Sequence, residues 1–210
     1  VYKRQVKHLG TEKNLKILSN IAEDLSKKID LLCNMEVEHI LNREDGKYEL
    51  SILNAENILC TYLIVAPGRS GAEWFSSECK NMGINLINNQ VDIGVRVELP
   101  AAVFEHITDV VYEAKLVYRT KQYGDSVRTF CMNPYGHVVT ENVDGIITVN
   151  GHSYSDASLR SENTNFALLV SNRFTQPFNE PYQYGKRIAS LSNMLGGGVL
   201  VQRFGDLIKG

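Results

Sequence analysis

The N-terminal part of the chain carries one helical pattern of apolar and polar positions. Apolar residues recur at helical spacing from Leu15 to Leu32, and charged residues fill the positions between them. This spacing predicts an amphipathic helix that ends near Leu32. Thr11 is the predicted N-cap, and Glu12 places a negative charge in the first turn, where the helix dipole favours it.

Two strand patterns joined by a tight turn follow the helix. Met35, Val37 and Leu41 alternate with polar residues, which is the period of a half-buried strand. An Asp-Gly pair at residues 45–46 is typical of a hairpin turn, and residues 48–52 alternate again. The pattern therefore predicts a β-hairpin.

A short apolar run at residues 63–66 has no polar alternation, so we predict a strand buried on both faces in the middle of an α/β sheet. A Pro-Gly turn at residues 67–71 follows it, and a helix is predicted over residues 72–82. Ligands bind at the carboxyl edge of such sheets, and Arg69 is a candidate phosphate contact there. An ordinary strand-to-helix turn with a solvated arginine explains these residues equally well, because no complete phosphate-loop pattern is present.

The second half of the chain reads mainly as strands. An Asn-rich stretch at residues 83–90 predicts a domain boundary, and residues 91–99 then alternate strictly. Short strand patterns separated by turn residues follow, which predicts an antiparallel sheet. The further strands are expected at residues 115–120, 127–132, 137–140, 146–150 and 166–170, and a helix at 181–195.

Composition excludes several classes of partner. With 22 Lys+Arg against 24 Asp+Glu, the chain has no basic excess to hold a nucleic-acid backbone or an anionic membrane. No apolar run has the length of a membrane span and no signal segment opens the chain, so we expect a cytoplasmic protein. The four cysteines are scattered without a Cys-x-x-Cys pair, so we expect reduced thiols and no metal site.

Both ends of the chain have features that predict an internal fragment of a longer protein. There is no initiator Met, and residues 1–7 have no pattern that prepares the following helix, so we interpret them as non-native or linker sequence. The last residues stop without a helix-capping signal.

The segment at residues 128–137 is rich in residues that carry chemistry. Cys131 and His137 are a candidate nucleophile and base. Six positions across a turn do not establish a hydrogen bond between them, however, and a buried strand cysteine is the simpler interpretation.

A second polar segment, residues 150–153, lies at the end of a predicted strand. His152 stands in a Gly-containing loop there and is a candidate general acid or base, although a hydrogen-bonded loop histidine fits the same pattern. Asn163 and Asn165 either hold a polar substrate or close Asx turns, and the sequence leaves both interpretations open.

Several of these segments, taken in order, carry a family resemblance that covers almost the whole chain after residue 7. They resemble the FAD-dependent dehydrogenases that are often labelled NAD(FAD)-utilising. The matching segments are residues 8–11, 63–71, 91–98, 128–139, 149–153 and 163–171.

The resemblance implies a fold and a division into domains. In such flavoproteins the FAD domain is discontinuous in sequence and encloses an inserted substrate domain. Residues 8–90 resemble the second part of the Rossmann-like FAD domain, and residues 91–205 resemble the inserted, mainly antiparallel β domain. The implied class is α/β for the first domain and α+β for the second. The Gly-x-Gly-x-x-Gly start and the final FAD segment of the family are absent, and with them the main pyrophosphate site.

The resemblance also implies residues that contact the cofactor. Val37 matches a position whose backbone meets the adenine, and residues 66–68 match the turn beside the adenosine and pyrophosphate. Because Pro67 replaces the usual Thr there and has neither its hydroxyl nor an N–H, hydrogen bonds to the cofactor must come from Gly68, Arg69 or Ser70. The implied FAD contacts are Val37, Ala66, Pro67, Gly68, Arg69 and Ser70, with Asn133 and Gly136 facing the flavin ring.

The implied activity is transfer of hydride between a small substrate and flavin, with NADH or NADPH as candidate electron donor. Arg128 is expected to hold an anionic group of the substrate, His152 to take a proton, and Cys131 to face the flavin. The remaining substrate contacts are Asn150, Ser153, Asn163 and Asn165. The alternative is a non-catalytic flavin- or ligand-binding module, such as a sensor or a tRNA-modifying relative, although the near-neutral charge argues against a tRNA partner.

Overall fold

The structure, a computed structural model, describes residues 12–210. The predicted N-cap Thr11 and the 8–11 segment of the resemblance lie outside the described residues. The helices are α1 (Glu12–Ser26), α2 (Ala72–Asn81), α3 (Glu105–Thr108), α4 (Pro181–Gly196) and α5 (Phe204–Lys209). The strands are β1 (Val37–Asn42), β2 (Tyr48–Ile52), β3 (Ile58–Cys60), β4 (Val91–Pro100), β5 (Val117–Arg119), β6 (Ser126–Asn133), β7 (His137–Val143), β8 (Ile146–His152) and β9 (Asn163–Asn172).

The chain folds into two compact units. The meander unit comprises residues Ala22–Ile87, and the sheet unit comprises Asn88–Gly210 together with the described residues up to Ile21. The domain boundary expected between residues 90 and 91 stays a prediction.

Helix α1 ends at Ser26 rather than near Leu32. The backbone N–H groups of Lys28 and Ile29 both donate to the Leu25 carbonyl, at 2.8 and 3.0 Å, so the last turn tightens and the helix stops there. The predicted apolar stripe of this helix exists, but none of its side chains is buried.

The meander unit contains a three-stranded antiparallel sheet in the order β1-β2-β3. The register of β1 against β2 shifts between Val37 and His39, where one extra residue on β1 forms a bulge. A one-residue shift turns every later side chain to the other face. Ile40 is therefore buried and Leu41 exposed, the reverse of the predicted alternation.

Side chains of α2 satisfy the outer edge of β1. Trp74 donates its indole N–H to the Glu38 carbonyl at 2.8 Å, and the backbone N–H of Ile40 donates to the Glu78 carboxylate at 2.7 Å. The His39 ring lies 3.2 Å from the other Glu78 oxygen. Side chains of the helix thus occupy backbone groups that an edge strand otherwise leaves open.

The Rossmann-like part of the fold expectation is wrong. All the strand pairs of residues 12–210 are antiparallel, and the chain is a mixed fold of antiparallel sheets with few helices. Residues 63–66 form no strand, and Ile64 is 93% exposed. The chain leaves the sheet after β3 pairs with β2, so no neighbouring strand buries both faces of this run. A short apolar run does not by itself specify whether a neighbouring strand pairs with it.

The sheet unit is built on a four-stranded antiparallel sheet in the order β4-β9-β6-β5. Its core joins Ala114, Met132 and Phe166, and partly buried side chains of β4, β9 and α3 pack against them. Phe166 lies opposite Val97 of β4, and Val97 and Leu99 pack against this core, whereas Val95 on the same face is 65% exposed.

The hairpin β7–β8 forms a separate two-stranded sheet, and α4 packs against β8 and β4. Asn193 of α4 accepts the Ile147 N–H at 2.7 Å and donates to the Ile147 carbonyl at 2.8 Å, as a neighbouring strand would. Helix α4 matches the predicted 181–195 helix and is capped by Gly197, whose φ of 62° is the left-handed C-cap conformation. Within the described part of the chain, no helix is long and apolar enough to cross a membrane.

Candidate functional site

A strained bulge in β6 shapes the polar site of the sheet unit. Phe130 pairs with Ala167 and Asn133 with Asn165, so β6 has one extra residue between these pairs. Cys131 lies in this bulge with a φ of 47°, a left-handed conformation that is costly for any residue except glycine. The distortion turns the Cys131 carbonyl away from the β9 ladder and makes it available to side chains.

Four side chains and this carbonyl form what we call the amide–arginine cluster: Arg96, Cys131, Asn133, Ser153 and Asn165. Arg96 donates through Nε to Asn165 Oδ1 and through Nη2 to the Cys131 carbonyl, both at 2.8 Å. Asn133 Nδ2 donates to the same carbonyl at 2.7 Å, and Ser153 Oγ donates to Asn133 Oδ1 at 3.2 Å. The cluster lies on the face of the sheet opposite the Phe166 core, because Arg96 and Asn165 alternate with the core-facing residues.

Gly151 of β8 closes the cluster. A Cβ at this position would lie 1.8 Å from Arg96 Nη2, 2.0 Å from Asn133 Nδ2 and 2.5 Å from Asn165 Oδ1. The Gly-His-Ser segment is therefore constrained by packing, since only glycine lets the hairpin approach the cluster this closely.

Arg96 is a half-buried cation whose hydrogen-bond acceptors are both neutral. No ion pair among residues 12–210 includes it. Burial lowers the pKa of the guanidinium from its usual value, while the charges of Cys131 and Glu141 act in the opposite direction. A guanidinium in such a position retains donors that suit an anion.

Three buried polar atoms near this end of the sheet have no hydrogen-bond partner within the described residues. They are Asn165 Nδ2, Thr164 Oγ1 and His152 Nε2. The Asn165 side chain is fully buried, and its orientation follows from the bond that Arg96 donates to its oxygen. An unsatisfied buried donor costs about 1–3 kcal/mol, which marks the position as one that a ligand acceptor would stabilise.

His152 is separated from the amide–arginine cluster by the pleat of β8. Because Gly151 faces the cluster, the next residue points to the other face of the hairpin. The His152 ring packs 4.3 Å from the Tyr154 ring, and His137, which pairs with His152 across the hairpin, lies 5.6 Å from Tyr154. The two histidines therefore share an aromatic surface of their own.

The environment of Cys131 favours a neutral thiol. Burial raises the pKa of this thiol, and the Glu113 carboxylate raises it further, against the opposing charges of Arg96, Lys115 and Arg128. The Cys131 N–H donates to Glu113 at 3.2 Å. A thiol must ionise to act as a nucleophile, so the structure gives this residue a backbone function and leaves its predicted catalytic role without support.

Arg128, expected to hold an anionic substrate, already has an acidic partner. Its Nη2 lies 2.5 Å from the Asp92 carboxylate, and its guanidinium stacks 5.1 Å from the Phe130 ring. Arg128 also precedes the bulge, so the structure does not bring it into the amide–arginine cluster.

The other predicted substrate and flavin contacts support the local fold. Asn150 donates to Glu141 at 2.7 Å and accepts the Gly151 N–H, while the backbone of Asn163 bonds to the Ser161 hydroxyl. Gly136 is buried, and a Cβ there would lie 2.6 Å from the His152 carbonyl. Asn133, Ser153 and Asn165 are thus the predicted residues whose side chains the structure brings together, and Cys131 joins them through its carbonyl.

The predicted adenine and pyrophosphate contacts all lie in the meander unit. Val37 pairs with Ile52 at the start of β1. Residues 66–70 are exposed and lead into α2, whose first turn has no side-chain cap. Gly68 has a φ of 69° and open space around its missing Cβ, whereas Gly71 packs tightly, because a Cβ there would lie 2.4 Å from Pro67 Cβ.

Sequence reasoning missed Arg96 as a site residue. It stands on the polar side of a regular alternating strand, where a solvated arginine is the ordinary interpretation. The sequence pattern indicated Gly151 only as a member of the polar segment at residues 150–153. A surface recess of about 700 Å³ in the sheet unit lies elsewhere, and its lining includes Gln90, Asp92 and Arg173.

Comparison with known proteins identifies a relative that is longer than this chain. No protein-family model matches the chain. The chain is 27% identical over 219 residues to an uncharacterized protein of Clostridium beijerinckii (strain ATCC 51743 / NCIMB 8052), and the match covers 96% of the chain and 40% of that protein. The chain thus spans well under half the length of this relative. Because the name of the relative states no activity, the function has to be argued from the site.

Proposed function

We propose that the protein is part of an FAD-dependent oxidoreductase that moves hydride between a small polar substrate and flavin. The observation that carries the proposal is the buried, unpartnered Asn165 Nδ2 held beside the half-buried Arg96. Buried polar groups in a folded protein are normally satisfied, so this pair indicates a site for a polar ligand. The ordered family resemblance across both halves of the chain supports flavin as the redox group.

The turn at residues 66–70 has features that fit a phosphate of FAD. Gly68 leaves open space next to the backbone, and the first turn of α2 carries no side-chain cap. Uncapped N–H groups at a helix start favour an anion. We therefore propose that Gly68 and Ser70 contribute backbone N–H donors to the cofactor.

When bound, FAD supplies the redox chemistry, and the chain orients the substrate and handles protons. His152 is the residue we propose for proton exchange, because its Nε2 is buried and has no partner in the described part of the chain. The contact with Tyr154 holds the ring in place. Replacement of His152 by Gln would keep a polar group of similar length while removing the proton exchange.

The cofactor half of the proposal is tested by titrating FAD into the purified protein and following quenching of flavin fluorescence. Gly68→Ala should weaken binding about tenfold or more, because a Cβ enters the open space beside the backbone and strains a left-handed residue. The matched control is Gly46→Ala, since Gly46 has a φ of 77°, equally open space and a place in the same unit. Both variants should lose similar stability, so only a difference in FAD affinity supports the proposal.

Absence of FAD binding to the wild-type chain, or equal effects of the two glycine variants, would contradict the cofactor assignment. The catalytic half is tested with NADH and NADPH, which should reduce the bound flavin. A flavin that binds but is reduced by neither nucleotide would favour the non-catalytic flavin-binding module.

A further inference from the structure

The amide–arginine cluster contains a cation that the fold has partly buried without giving it an ion-pair partner among residues 12–210. Arg128 offers a direct comparison within the same sheet, because it faces Asp92 at 2.5 Å. Arg96 instead bonds to a carbonyl and an amide oxygen, which leave its positive charge uncompensated at contact distance. Transferring an unpaired charge out of water is costly, so a retained one indicates a partner that is supplied from outside.

The atoms around Arg96 provide donors on one side of the cluster. Asn165 Oδ1 accepts from Arg96, and because Oδ1 and Nδ2 share a carbon atom, the unpartnered Nδ2 donor lies close to the guanidinium. A carboxylate is a negatively charged group that accepts several hydrogen bonds at once. It can therefore accept from a guanidinium and from an amide N–H at the same time.

Among residues 12–210, no carboxylate forms an ion pair with Arg96, and Glu98, the exposed cross-strand neighbour of Asn165, is not among the charges that act on its guanidinium. The anionic groups that act on Arg96 are Glu141 and, when ionised, Cys131. Glu141 lies on β7 and accepts a hydrogen bond from Asn150, and the Cys131 thiol is kept neutral by burial. The charge of Arg96 therefore remains available to a ligand.

We propose that Arg96, together with Asn165, binds the carboxylate group of a small-molecule substrate. The inference rests on the proposed function only in taking that ligand to be the substrate. The anion-binding role that the sequence analysis expected for Arg128 is thereby assigned to Arg96. Gly151 is a specificity-determining position, because any side chain there displaces the guanidinium.

The test uses the full chain and two probes of the same shape, sodium benzoate and neutral benzamide. Each is titrated while the Asn165 side-chain amide and the Arg96 Nε–H are followed by ¹H–¹⁵N NMR, with sodium chloride added to keep the ionic strength constant. Benzoate should shift both resonances in a saturable manner, and benzamide should bind at least about tenfold more weakly because it lacks the charge.

Four variants separate binding from folding. Arg96→Gln should weaken benzoate binding at least about tenfold, whereas Arg128→Gln, which also removes one arginine from the sheet, should leave it unchanged. Gly151→Ala should abolish the benzoate response while Arg96 is still present, because the new Cβ occupies the Arg96 Nη2 position. Arg96→Lys keeps the charge and should retain part of the affinity.

The proposal is overturned if benzoate leaves the Asn165 amide of the folded wild-type protein unshifted, if benzamide binds equally well, or if Arg128→Gln weakens binding as much as Arg96→Gln. None of these outcomes depends on FAD. A failed FAD titration combined with a benzoate response at Asn165 would therefore remove the flavin assignment and leave the carboxylate site.

Discussion

At the scale of single residues, the site depends on one unfavourable backbone conformation. Cys131 adopts a φ of 47°, and this conformation presents its carbonyl to Arg96 and Asn133. A non-glycine residue in this region costs about 1–3 kcal/mol, so the remaining contacts of the bulge must offset the strain. The side chain of Cys131 is less important to this arrangement than its backbone.

This interpretation predicts that Cys131→Gly is more stable than Cys131→Ala by about 1 kcal/mol, although glycine is normally the worse residue in a strand. Both variants remove the thiol, so the comparison isolates the backbone term. Thermal unfolding followed by circular dichroism measures the difference. An alanine variant as stable as the glycine variant would show that Cys131 is not strained.

At the scale of elements, α2 is attached to β1 through a buried carboxylate. Burial raises the pKa of Glu78, but the hydrogen bonds from the Ile40 N–H and His39 outweigh it, and the net pKa lies below the usual value. A carboxyl group with a depressed pKa in the folded state stabilises the protein above its unfolded pKa. That contribution is lost as the pH falls through the folded pKa, because the proton then competes with the Ile40 N–H.

We therefore expect Glu78→Gln to lower the free energy of unfolding of the meander unit by about 1–3 kcal/mol at neutral pH. In the wild type, the stabilisation by ionised Glu78 should be lost as the pH falls below 4.5, the usual pKa of the group. The variant has no carboxylate at this position, so its stability should lack this dependence on acid pH. The chain has a single tryptophan, Trp74 of α2, whose fluorescence reports on this unit. Glu56→Gln, at an exposed position before β3, is the control; equal effects at both positions would contradict the assignment.

At the scale of the whole molecule, the chain passes between its two units twice, within helix α1 after Ile21 and through the irregular segment before β4. Residues 84–90 form neither helix nor strand, and the Ile87 side chain is 91% exposed. Segments of this kind are preferred sites of proteolysis. Each unit has its own sheet, so each is expected to resist digestion longer than the connection.

Limited digestion with thermolysin, which cleaves before large apolar residues, should therefore cut first at Leu86 or Ile87. Mass spectrometry should find two fragments that meet at this point. Replacing both residues by Asp removes the cleavage sites and should delay the first cut without changing thermal stability. A first cut within β4 to β9 would contradict this organisation.

Local pattern was sufficient for most of the sheet unit. Strict alternation over residues 91–99 predicts a strand whose alternate side chains share a face. In β4, Val97 and Leu99 accordingly lie on the core and Arg96 lies on the opposite face, because side chains of an unbroken strand alternate. The turn residues between β6, β7 and β8 and the glycines after α4 likewise act over a few residues, so the sequence alone located these elements. The expectation that nucleic acid is not a partner rests on net charge, which is a sum over residues, and it stays a prediction.

Tertiary structure decided the features that depend on which segments meet. The 63–66 run lacks a strand on either side, so its apolar character did not make it a central strand. Bulges in β1 and β6 changed which side chains face inward, and no local pattern marks where an extra residue enters a ladder. Arg96 became a site residue because a left-handed Cys131 and a glycine at 151 approach it from distant parts of the sequence. The physical reason is that register and packing are long-range properties, whereas periodicity and charge are local ones.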